Sequence, residues 1–402
     1  MLSQPADTAP ALAEVEVQES GGALPVAVKK PPPEILISAG EASGEMYAAQ
    51  LALALQEKTD ARLFGLGGPH MREAGVEVVA DSSQVAVVGI SEVLGHLPVA
   101  IRILKQLEQE AAKRKPKLAI LVDFPDFNLR LGRKLKAQGV GIVYFISPQV
   151  WAWRPRRVQV IKELVKRILV IFPFEEKIYR QARVPVDFVG HPLVDIVQSS
   201  MTRSQFAARY GLATRTPIVA LLPGSRKGEI AHNLPRILKA CRRLAADLAP
   251  QFVLAAAPGL TKFIERYMRE DLPVRIVEGS TYDLLAAADC SIISSGTATV
   301  EAALLGAPMV VVYRVSRLTA LIARRMIQTS FFSMVNLIMN KKVVPELIQE
   351  GFKPETLEAE VRRLLIYAPA REQMKRDLKE VRARLGPGGA IERAAEIIAR
   401  ML

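Results

Sequence analysis

Short apolar runs alternate with helical stretches along most of this chain, and this alternation limits its possible folds more than any other feature. Leu118–Val122 and Gly141–Ile146 are two such runs, and the pattern restarts after residue 213 with Ile218–Leu222 and Met309–Val312. Buried strands of a parallel sheet have this composition, because helices cover both of their faces. The 402 residues suffice for two such sheets. The sequence therefore predicts an α/β protein with two doubly wound halves, joined near residues 192–200.

The first 33 residues differ from the rest in composition. They hold six prolines and too little apolar surface to order themselves, so we expect a flexible leader over residues 1–33. The leader lacks the basic start and apolar core of a secretion signal. No apolar stretch of the chain approaches the roughly 20 residues of a membrane-spanning helix. Cys241 and Cys290 give no disulfide framework, so we expect a reducing, cytoplasmic setting.

Basic residues outnumber acidic ones. The chain has 54 Lys and Arg against 41 Asp and Glu, which gives a net charge of +13. Such an excess calls for an anionic partner, and a nucleic acid, a membrane surface or a phosphorylated metabolite would each satisfy it. The four histidines and two cysteines show no metal-binding spacing. We therefore expect no metal and no cofactor.

Two loops of the first half follow predicted strands, at the edge of a doubly wound sheet where ligands bind. The first loop contains Glu41 among small residues; it could hold an anion or a sugar hydroxyl, or form a tight structural turn. Asp123 begins the second loop and can act as a general base on a hydroxyl. One side chain of this loop should cap the next helix, and we assign the capping to Asp126 or Asn128. Asp123 is then left for the chemistry.

Two loops of the second half have the composition of a diphosphate site. Gly224 and Ser225 offer backbone N–H donors, and the Arg226 guanidinium matches a phosphate. The segment Ser294–Glu301 opens a helix whose N-terminal amides and dipole favour an anion, and Glu301 could accept ribose hydroxyls. A surface turn and a capped, buried helix start are the structural alternatives. The candidate residues are Gly224, Ser225, Arg226, Ser295, Gly296, Thr297, Ala298, Thr299 and Glu301.

Two stretches combine basic and apolar residues. No acidic residue occurs between residues 302 and 345, and a second stretch spans residues 85–107. Such surfaces suit an acylated or anionic-lipid partner. The alternative is a core helix with a basic solvent face. The residues that we expect to face lipid are Val88, Arg102, Arg324 and Arg325.

Seven segments resemble, in this order, the motifs of the lipid-A-disaccharide synthase family. They are Ala39–Gly44, Asp123–Asn128, Ser147–Trp153, Val189–Leu193, Leu222–Arg226, Ser295–Thr299 and Val343–Leu347. The resemblance implies a GT-B glycosyltransferase, in which two Rossmann-like domains face a central cleft and C-terminal helices return to the N-terminal domain. We expect an acceptor domain at 34–198, completed by 367–402, and a UDP-sugar domain at 199–366.

The resemblance also implies a reaction. Family members join UDP-2,3-diacylglucosamine to 2,3-diacylglucosamine 1-phosphate (lipid X), release UDP and form a β-1,6 disaccharide with inversion. By position, Asp123 resembles the general base, and Glu41 and Asn336 match positions linked with substrate handling. Arg226 and residues 295–299 resemble the diphosphate cradle, and Glu301 the ribose ligand. The family is peripheral on the cytoplasmic face of the inner membrane, and a homodimer is a further option.

Two other functions remain open at this stage. A UDP-N-acetylglucosamine 2-epimerase shares the architecture and the donor site, but it has no use for an amphipathic acceptor surface. An RNA-binding protein could use the basic surface and the two tryptophans, Trp151 and Trp153. The sequence has no RRM, KH or helix-turn-helix signature, so we expect no nucleic acid partner. Four sites depart from the usual family residues: Glu45, Phe124, Met334–Val335 and Asn340.

Overall fold

The computed structural model describes residues 31–85, 93–148, 157–316 and 331–402. Two parallel sheets organise them, one in each half of the chain. The expected α/β class with two doubly wound halves is therefore confirmed. Of the leader predicted over residues 1–33, all but the last three residues lie outside the described part.

The first sheet has seven parallel strands in the order β3-β2-β1-β4-β5-β6-β7. Its strands are β1 (Glu34–Ala39), β2 (Arg62–Gly67), β3 (Glu77–Asp81), β4 (Leu118–Val122), β5 (Gly141–Phe145), β6 (Arg167–Val170) and β7 (Val186–Phe188). The helices of this half are α1 (Ala42–Lys58), α2 (Pro69–Glu73), α3 (Val93–Arg114), α4 (Pro125–Ala137), α5 (Arg157–Leu164) and α6 (Pro173–Gln181). The strand order reverses between β1 and β4, so the carboxyl ends of these two strands form the switch point where doubly wound sheets bind ligands.

The second sheet has six parallel strands in the order β10-β9-β8-β11-β12-β13. They are β8 (Ile218–Leu222), β9 (Gln251–Ala256), β10 (Val274–Glu278), β11 (Cys290–Ser294), β12 (Met309–Tyr313) and β13 (Glu346–Ile348). The helices that follow α6 up to β13 are α7 (Leu193–Ile196), α8 (Arg203–Tyr210), α9 (Lys227–Ala245), α10 (Thr261–Glu265), α11 (Thr281–Ala287), α12 (Thr297–Leu304) and α13 (Met334–Met339). Here the order reverses between β8 and β11, which makes their carboxyl ends the second switch point.

The central strands of both sheets are mostly apolar because they are covered on both faces; the exceptions in β11 are Ser291 and Ser294. Every residue of β4, β5, β8 and β11 is buried. Such continuous runs are what a parallel sheet requires of its inner strands. Both cysteines lie in this core with free thiols. In the described parts of the chain, no helix is both long and apolar enough to cross a membrane.

Three helices end the chain: α14 (Pro354–Ile366), α15 (Ala368–Arg384) and α16 (Ala390–Ala399). Helix α14 packs on α9, and α15 packs on α12, so both stay with the second half. Helix α16 packs on α1 of the first half. The expected return to the N-terminal domain is confirmed for α16, but the expected bound at residue 367 is wrong, because α15 packs on the second half. The crossing falls between α15 and α16.

Candidate active site

Glu41 lies at the first switch point, in the turn between β1 and α1. Its backbone is extended, and its exposed side chain does not cap α1. The neighbouring Gly40 has no room for a side chain, because a Cβ there would lie 2.2 to 2.5 Å from ring carbons of Phe124. The turn after β1 is thus packed directly against the loop after β4.

Asp123 and Phe124 form that second loop in an uncommon backbone conformation. Their φ angles are 45° and 47°, in the left-handed region that residues other than glycine rarely adopt. Two side chains hold the loop there. The Tyr144 hydroxyl donates to the Asp123 carbonyl over 2.6 Å, and the Asn128 amide donates to the same oxygen over 2.9 Å. Backbone strain that is maintained in this way is concentrated at functional sites.

The predicted capping of α4 by Asp126 or Asn128 is wrong. Phe124 occupies the N-cap position, and no side chain caps the helix. Asn128 is fully buried, accepts a hydrogen bond from the Ser38 hydroxyl (2.7 Å) and donates to backbone carbonyls. Asp126 forms an ion pair with Arg157. The backbone carbonyls of the strained loop need hydrogen-bond donors, and the Asn128 amide supplies them. Asn128 therefore holds Asp123 and does not cap α4.

The Asp123 carboxyl has a raised pKa of about 7. Burial is the main cause, because it disfavours the charged form, and the nearby Glu41 carboxylate adds to it. The backbone N–H of Phe124 acts in the opposite direction. A carboxyl with a pKa near the working pH is well matched to general base catalysis.

The second switch point begins with the loop after β8. Gly224 has a φ of 131°, and a Cβ there would lie 2.6 Å from the Glu229 side chain. The Ser225 N–H donates to a Glu229 carboxylate oxygen over 3.1 Å. Arg226 precedes α9 and is exposed, with its guanidinium 4.0 Å from Glu229. The loop is thus preformed, and its arginine is free to meet a ligand.

The loop after β11 completes this edge of the second sheet. Gly296, with a φ of 155°, is the N-cap of α12. Gly296 and Thr297 are exposed, Ala298 is partly exposed, and Thr299 is buried with its hydroxyl on the Gly296 carbonyl (2.8 Å). Exposed backbone at the start of a helix favours an anion. The residues predicted for the diphosphate site therefore lie in the loops after two adjacent strands, β8 and β11, and in the first two turns of α12.

Two tyrosines interact with carboxylates of the candidate site. Tyr282 donates to Glu301 on α12 over 3.1 Å, and burial raises the pKa of Glu301. Tyr47, on α1, is 5% exposed. Burial raises the pKa of Tyr47, and the charges of Glu301 and Asp123 raise it further. The charge of one carboxylate from each half therefore acts on the Tyr47 phenol.

A family model described as lipid-A-disaccharide synthetase matches residues 35–399. The chain belongs to the lipid-A-disaccharide synthase family. The lipid-A-disaccharide synthase of Myxococcus xanthus (strain DK1622) is 46% identical over 375 residues, covering 92% of this chain and 98% of the relative. Membership makes this chain a glycosyltransferase of lipid A biosynthesis and favours that activity over the epimerase and RNA-binding alternatives.

Solved structures with low sequence identity share the fold. A UDP-GlcNAc 2-epimerase from Neisseria meningitidis, bound to UDP-GlcNAc, superposes with a TM-score of 0.64 at 12% identity, over 91% of this chain and 100% of its own. The glycotransferase of kitacinnamycin gives 0.63 at 16% identity, over 93% and 100%. The GT-B fold expected of a lipid-A-disaccharide synthase is confirmed.

Asn336 lies in α13, where it supports the segment before β13. Its side chain is fully buried. Its amide donates to Glu346 (2.8 Å) and to the Val344 carbonyl (3.0 Å), and its carbonyl accepts from the backbone N–H of Val343 (2.7 Å). Asn336, which resembles a substrate-handling position, uses every polar atom of its side chain to hold the segment before β13.

The lipid-facing candidates have different outcomes. Arg102 is exposed on α3, beside Ile101, which is 57% exposed. Val88, Arg324 and Arg325 lie outside the described residues, as do Trp151 and Trp153. In the described ranges, no group of three or more His, Cys, Asp or Glu side chains could hold a metal ion.

Sequence reasoning missed the residues that support the catalytic loops. Asn128 and Tyr144 hold Asp123, and the charges of Asp123 and Glu301 both raise the pKa of Tyr47. Asn233 is buried and bridges the two loops of the second sheet, donating to the Pro223 carbonyl (2.9 Å) and the Ser294 hydroxyl (3.2 Å). The sequence signal for Asn233 was a polar residue within an otherwise apolar helix face. A buried amide must find hydrogen-bond partners, so such a residue indicates a supporting contact.

Proposed function

We propose that this chain transfers 2,3-diacylglucosamine from its UDP ester to the 6-hydroxyl of lipid X, with inversion at the anomeric carbon. The observation that carries the proposal is the Asp123 carboxyl, which has a pKa of about 7 at the first switch point. The loops of the second switch point lie across from it. A base on one side and an anion site on the other suit a single displacement.

Asp123 acts as the base in this scheme. It removes the proton of the acceptor 6-hydroxyl while that oxygen attacks the anomeric carbon from the face opposite UDP. The bond between the anomeric carbon and the diphosphate oxygen breaks, and UDP leaves with the electron pair. General base catalysis of this kind contributes about 10²- to 10⁴-fold. Holding both sugars in line adds more, because it converts an encounter into a unimolecular step.

The second half neutralises the leaving diphosphate. Arg226 supplies a charged fork, and Gly296 and Thr297 supply backbone N–H groups; the Ser225 N–H joins them once it leaves Glu229. Preformed donors of this kind stabilise developing negative charge without reorganising. Glu301 binds the ribose hydroxyls, in exchange for its bond from Tyr282. Glu41 acts through its charge, which keeps the pKa of Asp123 high, and Asn336 positions the loop that leads to β13.

The acyl chains and the membrane are assigned to the first half. We propose peripheral binding to the cytoplasmic face of an anionic membrane, supported by the exposed Ile101 and Arg102 pair on α3. Apolar and basic side chains on one helix suit such a surface. The predicted homodimer stays a prediction. We also propose that the acceptor domain comprises residues 34–198 and α16, and that the UDP-sugar domain extends to about residue 385.

A product assay with defined substrates tests the proposal. The protein is incubated with UDP-2,3-diacylglucosamine, with and without lipid X, and the products are analysed by mass spectrometry. We expect UDP and a disaccharide 1-phosphate only when lipid X is present. Release of UDP without lipid X would indicate an epimerase or a hydrolase instead.

The Arg226→Ala variant tests the diphosphate site separately. Loss of a charge-assisted bond weakens UDP binding by about 1.5 to 3 kcal/mol. Lys239→Ala is the matched control, because Lys239 is exposed on α9, the helix that follows Arg226, but lies away from the loops. Unchanged UDP affinity in Arg226→Ala would remove this arginine from the donor site.

A further inference from the structure

A cavity of about 380 Å³ opens at the amino-terminal edge of the second sheet. Its floor is apolar and includes Leu285 and Ala307, which are buried. Residues directly before β11 and β12 form one wall, so the cavity lies at the end of the sheet opposite to the proposed donor site. Strand β11 has five residues, and at about 3.3 Å per residue the two sites are separated by about 16 Å.

Cationic side chains line the opening of this cavity. They are Arg203, Arg371, Lys375 and Lys379. The cavity has one acidic lining residue, Asp289, and the carboxylate of Asp289 already has partners within the protein. Its carboxylate pairs with Arg203 over 2.8 Å and accepts from the Ile218 N–H over 2.8 Å. Because Asp289 balances Arg203, the unbalanced positive charge of the cavity comes from the three cations of α15.

Three of the cations form a stripe along α15. Arg371, Lys375 and Lys379 are four residues apart, so they share one helix face. Like charges at this spacing disfavour a helix. Glu372 is the acidic residue beside them, 3.1 Å from Lys375 and 3.9 Å from Arg371. Lys379 is exposed and has no hydrogen-bond or ion-pair partner within the described ranges.

Glu372 compensates part of this repulsion at Arg371 and Lys375, whereas Lys379 adds a like charge to the helix face without a partner among the described residues. Such positions are expected where a ligand supplies the missing interaction. Arg371 uses one nitrogen on the carbonyls of Leu364 and Leu365 (both 3.2 Å), which holds its guanidinium at the cavity. Ammonium and guanidinium groups around an apolar floor suit a phosphate group that carries a short carbon chain.

We propose that this cavity binds a phosphomonoester, at a site separate from the one that holds the donor diphosphate. The phosphate lies against Lys375 and Lys379, and Arg371 contributes from the first turn of α15. The ligand can be a free phosphorylated metabolite or the phosphate of a lipid headgroup, since both present the same dianion. The site does not depend on the proposed transferase reaction.

Calorimetric titration with glycerol 3-phosphate tests the site on the full chain. The titration is repeated in Arg226→Ala, so that binding at the donor loops is not counted. We expect Lys375→Gln/Lys379→Gln to raise the dissociation constant at least about tenfold, as the loss of charge-assisted contacts predicts. The control is Lys239→Gln/Arg376→Gln, which removes the same charge from exposed positions outside the cavity.

A sedimentation assay distinguishes the two sources of phosphate. Phosphatidylcholine vesicles with and without phosphatidic acid are compared for the wild type and the double variant. The site is supported if either probe, phosphatidic acid vesicles or glycerol 3-phosphate, binds the wild type and the control but not the double variant. The probe that binds then identifies the source of the phosphate. Binding to neither probe, or equal losses in both double variants, would overturn the proposal. If the double variant does not fold, Lys379→Gln alone gives the same comparison, because this side chain makes no internal bond.

Discussion

At the scale of single residues, the pKa of Asp123 sets the expected pH dependence of the reaction. A general base must be deprotonated, so kcat/KM should rise with pH, reach half its maximum near pH 7 and level off above it. Asp123→Asn should lower kcat by about 10²- to 10⁴-fold while UDP binding stays near that of the wild type. Asp126→Asn is the matched control, because Asp126 lies three residues further along, in the first turn of α4, and pairs with Arg157. Retained turnover in Asp123→Asn would contradict the assignment.

Glu41 provides a second test at the same scale, because its charge raises the pKa of Asp123. Removing a nearby like charge makes the charged form of a carboxyl easier to reach. In Glu41→Gln, the midpoint of the pH profile should therefore move below 7. Steady-state rates between pH 5 and 9 measure the shift. A profile that falls in height without moving would show that Glu41 contacts substrate and does not act on Asp123.

At the scale of elements, most inner strands and the edge strand β10 (Val274–Glu278) were predictable from their apolar runs, but the edge strands β7 and β13 were not. The runs Leu118–Val122 and Ile218–Leu222 coincide with β4 and β8. Strands β7 and β13, by contrast, have three residues each, all partly buried, and a half-covered edge does not require a continuous apolar run. The four loops predicted to carry the site do follow inner strands, namely β1, β4, β8 and β11.

The supporting contacts of those loops could not be predicted, because they join residues far apart in sequence. Asn128 meets Ser38 across 90 positions, and Ser295 donates to the Phe332 carbonyl across 37. Periodicity and spacing along the chain carry no information on such pairs. A buried amide signals that partners exist, but the fold decides which ones.

Helix α13 and the segment before β13 depend on Asn336. In Asn336→Ala the backbone N–H groups of Val343 and Val344 lose their acceptor, and Glu346 loses a donor. Each buried group left unsatisfied costs about 1 to 3 kcal/mol. We expect a loss of about 2 to 4 kcal/mol in the free energy of unfolding, measured with urea. Lys342→Ala, exposed beside the same segment, is the control. Unchanged stability with reduced lipid binding would instead make Asn336 a ligand contact.

At the scale of the whole molecule, two chain segments join the halves, and they contact each other. The guanidinium of Arg393, on α16, donates to the Val189 carbonyl over 2.6 Å. Asp195 accepts from the Gly389 N–H over 2.9 Å. Hinges made of a few terminal residues absorb domain closure in proteins with a central cleft. Closure about this junction would bring the acceptor hydroxyl held near Asp123 towards the donor held near Arg226.

His191 makes the stability of this junction depend on pH. Its ring is 3% exposed, accepts from the Leu193 N–H over 3.1 Å and packs edge-on against Phe172. Burial lowers its pKa to about 3 from an ordinary 6.5, so the folded state holds it neutral while the unfolded chain takes up a proton below pH 6.5. The free energy of unfolding should therefore decrease as the pH is lowered from 6.5 to 3, by about 1.4 kcal/mol per pH unit.

The variant His191→Asn isolates this effect, because asparagine offers an acceptor to Leu193 but does not titrate. Other groups titrate equally in both proteins and cancel in the difference. Between pH 7.5 and 5, the wild type should lose about 2 kcal/mol more than the variant, measured as urea unfolding free energies. Equal losses would mean that the ring is protonated in the folded state. The junction would then have to accommodate a charge beside Phe172, which the apolar packing of that ring opposes.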